Sequence, residues 1–324
     1  MSVSPEVEVL LRLMAASGVP SLERLPIADA RGAYAQIGAM LGGSSLDMHA
    51  VEELSADIVA TEIPLRLYRP RQLPKGPAPL VVYLHGGGWV AGSLDSHDKV
   101  CRRLAHFSGC AVLAVDYRLA PEHPMPTGAE DVIAVLRWVV DAAGGLDIDP
   151  QRIAIAGDSA GASLSAVACL ALRGSEVKLC AQVLFYPAAD NTQAAWTRFP
   201  ARQENAEVPP LTAELMRHWT GLFLGENGDP QDYRISPLLA SDHLDLPPAL
   251  IVTAECDTLR DDGRAYRDAL KAAGNQVEHL ELLGMIHGFI EMPGALPGTA
   301  WVMEHAATFI RSQLGLLPLA NAQA

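Results

Sequence analysis

The chain has 324 residues, of which 49% are hydrophobic and 19% charged, with a formal net charge of −14. That length and apolar fraction suit one large or two ordinary globular domains and exclude a disordered chain. The acidic balance argues against nucleic acid or anionic membranes as partners, and no apolar run reaches the length of a membrane span, so no stable membrane insertion is expected.

At the N-terminus Ser4 can cap a helix that Pro5 opens, with Val7, Leu10, Leu11 and Met14 on one face. The same segment carries Glu6 and Glu8 and lacks a basic cluster, which makes it a poor signal peptide and points to the cytoplasm. A second helix is expected over residues 27–41, stopped by Gly42 and Gly43. Residues 51–68 alternate loosely and predict a pair of strands, with Pro64 arguing for an edge position. From residue 79 short, wholly apolar runs alternate with amphipathic stretches: LVVYL, a helix near 97–107, CAVLAVDY, a helix near 129–143, RIAIAG, a helix near 160–172 and CAQVLFYP. The rhythm resumes with ALIVTAECD, a helix near 263–273, QVEHLELL and a last helix near 299–314. This pattern predicts an α/β fold, a mainly parallel sheet covered on both faces, in which ligands sit beyond the carboxyl ends of the strands. The stretch 188–237 interrupts the alternation. It ends in a helix capped by Thr212, with Leu211 and Met216 as a hydrophobic staple and Leu215, Trp219, Leu222 and Phe223 along one stripe. An insertion at the ligand end of the sheet is expected to form a lid.

Five cysteines, Cys101, Cys110, Cys169, Cys180 and Cys256, are odd in number, widely spaced and free of any C-x-x-C pair. Free thiols and a reducing compartment follow better than a disulfide framework or a zinc site.

Four motifs follow the apolar runs. GDSAG, residues 157–161, sits between the strand RIAIA and the helix ASLSAVACLAL. In that context a G-x-S-x-G sequence is a sharp strand-to-helix turn that pushes Ser159 out at the sheet end. No G-K-[ST] accompanies it, so a phosphate loop is disfavoured. A serine needs a base. Of the downstream histidines His218, His243, His279, His287 and His305, only His287 lies in a glycine-flanked loop past the last apolar strand. The acid that orients it is expected at Asp257, at a strand end, rather than at Asp261 or Asp262, which open a helix and suit capping or dipole charges. Glu255 is assigned a supporting or structural place. The HGGG stretch, His85–Gly88, then reads as an oxyanion loop: Gly87 and Gly88 lack the Cβ that would block close approach, and the amide of Ala160 follows the nucleophile. His85 is expected to brace this loop. No ligand cluster accompanies it, so no metal is expected. Trp89 and Tyr186 are candidate walls of the substrate pocket, with an ordinary core place as the alternative.

Taken together, HGGGW (85–89), DYRLAPEHPMP (116–126), GDSAG (157–161), CDTLRDDG (256–263) and IHGF (286–289) resemble the bacterial hormone-sensitive-lipase-like esterases of the α/β-hydrolase fold. The resemblance implies a Ser159–His287–Asp257 triad, an oxyanion hole from Gly87, Gly88 and Ala160, and a helical cap built from residues 1–50 and 188–237. The core is then 51–187 and 238–324. It implies hydrolysis of short- to medium-chain carboxylic esters through an acyl-enzyme, with a small-molecule ester as partner and no cofactor, and it allows a homodimer. Alternatives are a lactonase or amidase on the same triad, or a non-catalytic small-molecule binding protein on this fold. Two departures stand out: Thr258 where the family often has proline, and Ala162 where it often has a further glycine. Neither removes a group that performs chemistry.

Overall fold

The computed structural model describes residues 3–18, 20–58 and 61–316. Its strands are β1 (Ala50–Ile58), β2 (Thr61–Arg69), β3 (Ala78–Leu84), β4 (Ala111–Val115), β5 (Ile148–Asp158), β6 (Leu179–Phe185), β7 (Ala249–Cys256) and β8 (Val277–Ile286). They form one sheet in the order β1-β2-β4-β3-β5-β6-β7-β8. β1 pairs with β2, and β2 with β4, antiparallel; from β4 onward every pairing is parallel. This is an α/β-hydrolase sheet. Every residue of β3 and of β4 is buried, as unbroken apolar runs require when helices cover both faces.

The longer helices are α1 (Pro5–Ala16), α2 (Ile27–Leu41), α3 (Asp98–Ser108), α4 (Thr127–Ala142), α5 (Ala160–Leu172), α8 (Ala213–Leu224), α9 (Arg260–Ala272) and α10 (Ala300–Gln313), with single turns α6 (Ala195–Arg198) and α7 (Ala201–Glu204) between. Successive side chains of β3 divide between two cores. Leu80, Val82 and Leu84 pack toward α4, α5 and α9, while Val81 and Tyr83 pack toward α1, α3 and α10. Among the described residues no helix is long and apolar enough to cross a membrane.

The edge expected for Pro64 is not where it lies. β2 is the second strand, and β1 forms the edge. The proline is tolerated because pairing with β4 begins one residue later, at Leu65 against Val115. The carbonyl of Pro64 accepts from Asp116 N at 3.0 Å on that side, so the missing N–H faces the point where β4 has ended.

The interruption leaves the sheet between β6 and β7 and carries α6, α7 and α8. Thr212 caps α8, its hydroxyl accepting from Leu215 N at 3.1 Å. The two aspartates read from sequence as caps do something else: they hold this excursion to α9. Asp262 accepts from the amides of Ala189 (3.1 Å) and Asp190 (3.0 Å) and from Arg202 Nη2 (2.8 Å), and Asp261 accepts from Ala201 N at 2.8 Å. On the opposite side α2 is tied to the segments after β3 and β4, with Arg31 Nε donating to Val90 O at 2.7 Å and Nη2 to Ala120 O at 2.9 Å. Both pieces thus stand over the carboxyl ends of the central strands.

Candidate active site

Ser159 is the one residue between β5 and α5, and the turn there is as sharp as the motif demands. Its backbone adopts φ +52° and ψ −118°, a conformation that side-chain-bearing residues avoid. The close packing behind it explains the flanking glycine: a Cβ on Gly161 would sit 2.0 Å from Leu84 O. The strained turn holds the hydroxyl beyond the sheet instead of within the helix.

His287 follows β8 directly, and Asp257 follows β7. The register of the two strands carries Cys256 to Ile286, so the next residues of both lie side by side. His287 Nδ1 stands 2.7 Å from Asp257 Oδ2, and His287 Nε2 stands 2.9 Å from Ser159 Oγ. With Nδ1–H donated to the carboxylate, Nε2 is left as the acceptor for the serine proton. Asp257 is buried and held by a further bond, its Oδ1 accepting from Leu259 N at 2.9 Å. The His287 pKa is raised above its ordinary value. Burial is the largest influence and acts downward, but the charge and hydrogen bond of Asp257, with smaller help from Asp158 and Glu291, outweigh it.

The other downstream histidines are engaged elsewhere. His243 bonds Pro237 O, His279 bonds Thr253 Oγ1, His305 pairs with Glu278, and His218 is exposed on α8. Glu255 accepts from Gly284 N at 2.7 Å, bracing the end of β8.

The glycine loop leaves β3 with Gly87 at φ +116° and Gly88 at φ +60°. Gly87 O accepts from Val90 N at 3.1 Å and Ala91 N at 2.9 Å, which closes the turn. A Cβ on Gly87 would lie 2.3 Å from Ala91 O. Gly87, Gly88, Ser159 and His287 all line one cavity. Ala160 is the first residue of α5, where backbone amides have no partner inside the helix and the dipole favours negative charge. Beneath the loop, His85 Nδ1 donates to Gly86 O at 2.8 Å and its ring stacks on Tyr117 at 4.4 Å. Tyr117 Oη in turn donates to His85 O at 2.7 Å, and Ala120 N to Trp89 O at 2.9 Å. The YRLAP segment therefore underlies the glycine turn.

Residues 81–291 match a family of α/β hydrolase fold. Carboxylesterase NlhH of Mycobacterium tuberculosis is 43% identical over 245 residues, covering 74% of this chain and 75% of its own. Ethyl acetate hydrolase of Pseudomonas putida is 36% identical over 301 residues, covering 90% and 93%. The solved ester hydrolase EH1AB1 from the metagenome of Lake Arreo, complexed with a bipyridine phosphonate derivative, superposes with a TM-score of 0.92 at 38% identity, covering 97% of this chain and 99% of that one.

This chain belongs to the hormone-sensitive-lipase-like α/β-hydrolases.

The cavity of this hydrolase has a volume of about 70 Å³ and mostly apolar walls. Tyr34 and Ile37 come from α2, Leu215, Met216 and Trp219 from α8, and Trp89 from the glycine loop. Trp89 adopts φ +61° and its ring stacks on Phe223 at 4.3 Å. Tyr186 is not part of that wall. It is fully buried just past β6, packed under His287 with ring centroids 4.5 Å apart. Its place after an apolar strand resembles that of a pocket residue, but its side chain turns toward the inner core. The face of α2 that closes the cavity was not legible, because apolar residues are spread around the whole helix and mark no single face. Trp219 belonged to a stripe already read as apolar, and only packing shows that its ring lies over Gly88, where a Cβ would meet Trp219 Cε3 at 2.5 Å. A buried group of His97, Asp158 and Glu291 was also missed; their ligand-capable atoms lie within 4.8 Å of one another. Asp158 stands inside GDSAG and Glu291 four residues after His287, so motif context was the available signal.

Proposed function

We propose that this carboxylic ester hydrolase works through Ser159 as nucleophile, His287 as base and then acid, and Asp257 as the group that orients the imidazole. The observation that carries this reading is the unbroken chain Ser159 Oγ–His287 Nε2–His287 Nδ1–Asp257 Oδ2, with links of 2.9 and 2.7 Å, opening on the cavity. Ser159 Oγ attacks the ester carbonyl while Nε2 takes its proton. The oxyanion of the tetrahedral intermediate accepts hydrogen bonds from the amides of Gly87, Gly88 and Ala160. His287 then returns the proton to the leaving alkoxide, an acyl-enzyme remains, and a water activated by the same imidazole releases the acid.

Helix α2 and residues 188–237 form the cap. The small apolar cavity supports short acyl groups, as does similarity to an ethyl acetate hydrolase. Five free cysteines, four of them buried, support a cytoplasmic location. An organophosphonate should label the wild-type chain with one equivalent and abolish ester hydrolysis, and Ser159→Ala should neither label nor turn over. Labelling retained in Ser159→Ala would overturn the assignment. Hydrolysis rates over a series of acyl chain lengths should fall as the chain outgrows the cavity.

A further inference from the structure

Behind the glycine loop lies a buried polar group that the mechanism does not use. His97, just before α3, has Nε2 3.2 Å from Asp158 Oδ1 and 3.6 Å from Glu291 Oε2. All three residues are buried. Its Nδ1 lies 2.9 Å from Ser96 Oγ. That hydroxyl donates its one proton to Ser93 O at 2.9 Å and accepts from Ser93 N at 2.9 Å, so toward His97 it can only accept. In that arrangement Nδ1 carries a proton. Nε2 faces the oxygens of two carboxyl groups, with Asp158 the nearer, and must carry one as well. Both ring nitrogens protonated make His97 a buried imidazolium.

Its partner Asp158 is the residue directly before the nucleophile. Asp158 Oδ1 also accepts from Tyr83 Oη at 2.7 Å and from Gly86 N at 3.0 Å. The approach is so close that a Cβ on Gly86 would sit 2.2 Å from Asp158 Oδ2. Gly86 immediately precedes the two glycines assigned to the oxyanion hole. A carboxylate buried this deeply is costly unless a cation neutralises it, and His97 is the cation in contact with it. The shifts have the same sense: burial, the largest influence, pushes His97 down and Asp158 up, and in each the charge of the other reverses the direction. Burial pushes Glu291 up to about 7 despite His97, whereas Asp158 lies below its ordinary value, so the nearer carboxyl, Asp158, ionises more readily of the two. Glu291 Oε1 accepts from Tyr34 Oη at 3.2 Å, which joins the group to α2.

We propose that His97 is a positioning residue for the oxyanion hole, a buried cation that keeps Asp158 ionised so that its carboxylate clamps the Gly86 amide and with it the glycine turn. The proposal rests on the oxyanion role given above to Gly87 and Gly88. Removing the cation leaves Asp158 to take up a proton or move toward water, and either change loosens the grip on Gly86. Outright loss of an oxyanion donor lowers kcat by about 10²–10³, and misplacement by a remote change costs up to about 10².

The test is His97→Gln, which keeps a polar side chain of similar reach without the charge, with Asp158→Asn as a second variant should the first fold poorly. Active sites are counted by organophosphonate burst before kinetics are measured. The expected result is a fall in kcat per titrated site of roughly ten- to a hundredfold with KM little changed. The rate of phosphonate labelling, which also places an oxygen in the hole, should fall in parallel, and the Ki of a reversible ground-state analogue should not. A merely structural role predicts a lower unfolding midpoint and fewer titratable sites with kcat per site unchanged, and that outcome overturns the proposal. Failure of the wild-type chain to be labelled at Ser159 would instead strike at the proposed function.

Discussion

Gly87→Ala tests the glycine loop most directly. The residue sits at φ +116°, where only glycine is at ease, and conformational strain of this kind costs about 1–3 kcal/mol. The added Cβ would lie 2.3 Å from Ala91 O and 2.5 Å from Ala91 C. These are backbone atoms, and they are fixed by the bond from Ala91 N to Gly87 O at 2.9 Å, so no side-chain rotation relieves the overlap. The turn must therefore rotate, and rotation carries the Gly87 amide away from the position of the oxyanion. Loss of one such donor removes about 2.7–4 kcal/mol of transition-state stabilisation, equivalent to 10²–10³ in kcat. The assay is kcat and KM on a short nitrophenyl ester, normalised to phosphonate-titrated sites, with thermal unfolding recorded alongside. The expected outcome is a kcat lower by about two to three orders of magnitude with KM nearly unchanged, because the donor acts on charge that develops only in the transition state. A folded, fully titratable Gly87→Ala protein with wild-type kcat would refute the oxyanion role of this amide.

In the proposed mechanism the His287 imidazole must be neutral to accept the serine proton, and its pKa is raised above 6.5. Activity should therefore be lost as pH falls through a midpoint above 6.5, not at the free-histidine value; kcat/KM against pH measures it, and a midpoint at or below 6.5 would contradict the assigned environment. Asp257→Asn removes the charge that does the raising, so the acid limb should move down while kcat drops by about 10⁴; an unmoved limb would show that Asp257 does not set the pKa. Arg202→Met leaves Asp262 buried without its cation, since both side chains are fully buried and 2.8 Å apart. Such a loss costs about 3–5 kcal/mol, read as a lower urea midpoint, and Asp262→Asn added to it should restore part of the stability.

Much of the site was legible because each group follows a strong local signal. Ser159 is flanked by an apolar strand and a helix with small residues at the turn, and Asp257 and His287 each come directly after an apolar run. Positions read otherwise, or left open, lacked such a signal or shared one with another role. Tyr186 also follows an apolar strand, but whether it turns toward the cavity or the inner core depends on neighbours far away in the chain. Asp261 and Asp262 open a helix, as capping residues do, yet they bind the backbone of the 188–237 excursion, more than 55 residues away. Pro64 lies within the β1–β2 ladder opposite Ser55, because the restriction on proline acts on one residue's missing N–H and not on the whole strand.

Composition, periodicity and motif context thus determined the sheet class, the strand–helix alternation and the side chains that meet at the candidate site, because these depend on burial and spacing along the chain. The tertiary structure decided the rest. The strand order β5-β6-β7-β8 brings residues 159, 257 and 287 within hydrogen-bond reach. Closure of α2 and α8 over the cavity, and the protonation of His97 between two carboxyl groups, arise from contacts between segments distant in sequence. Electrostatics and packing act through space, so no local pattern encodes them.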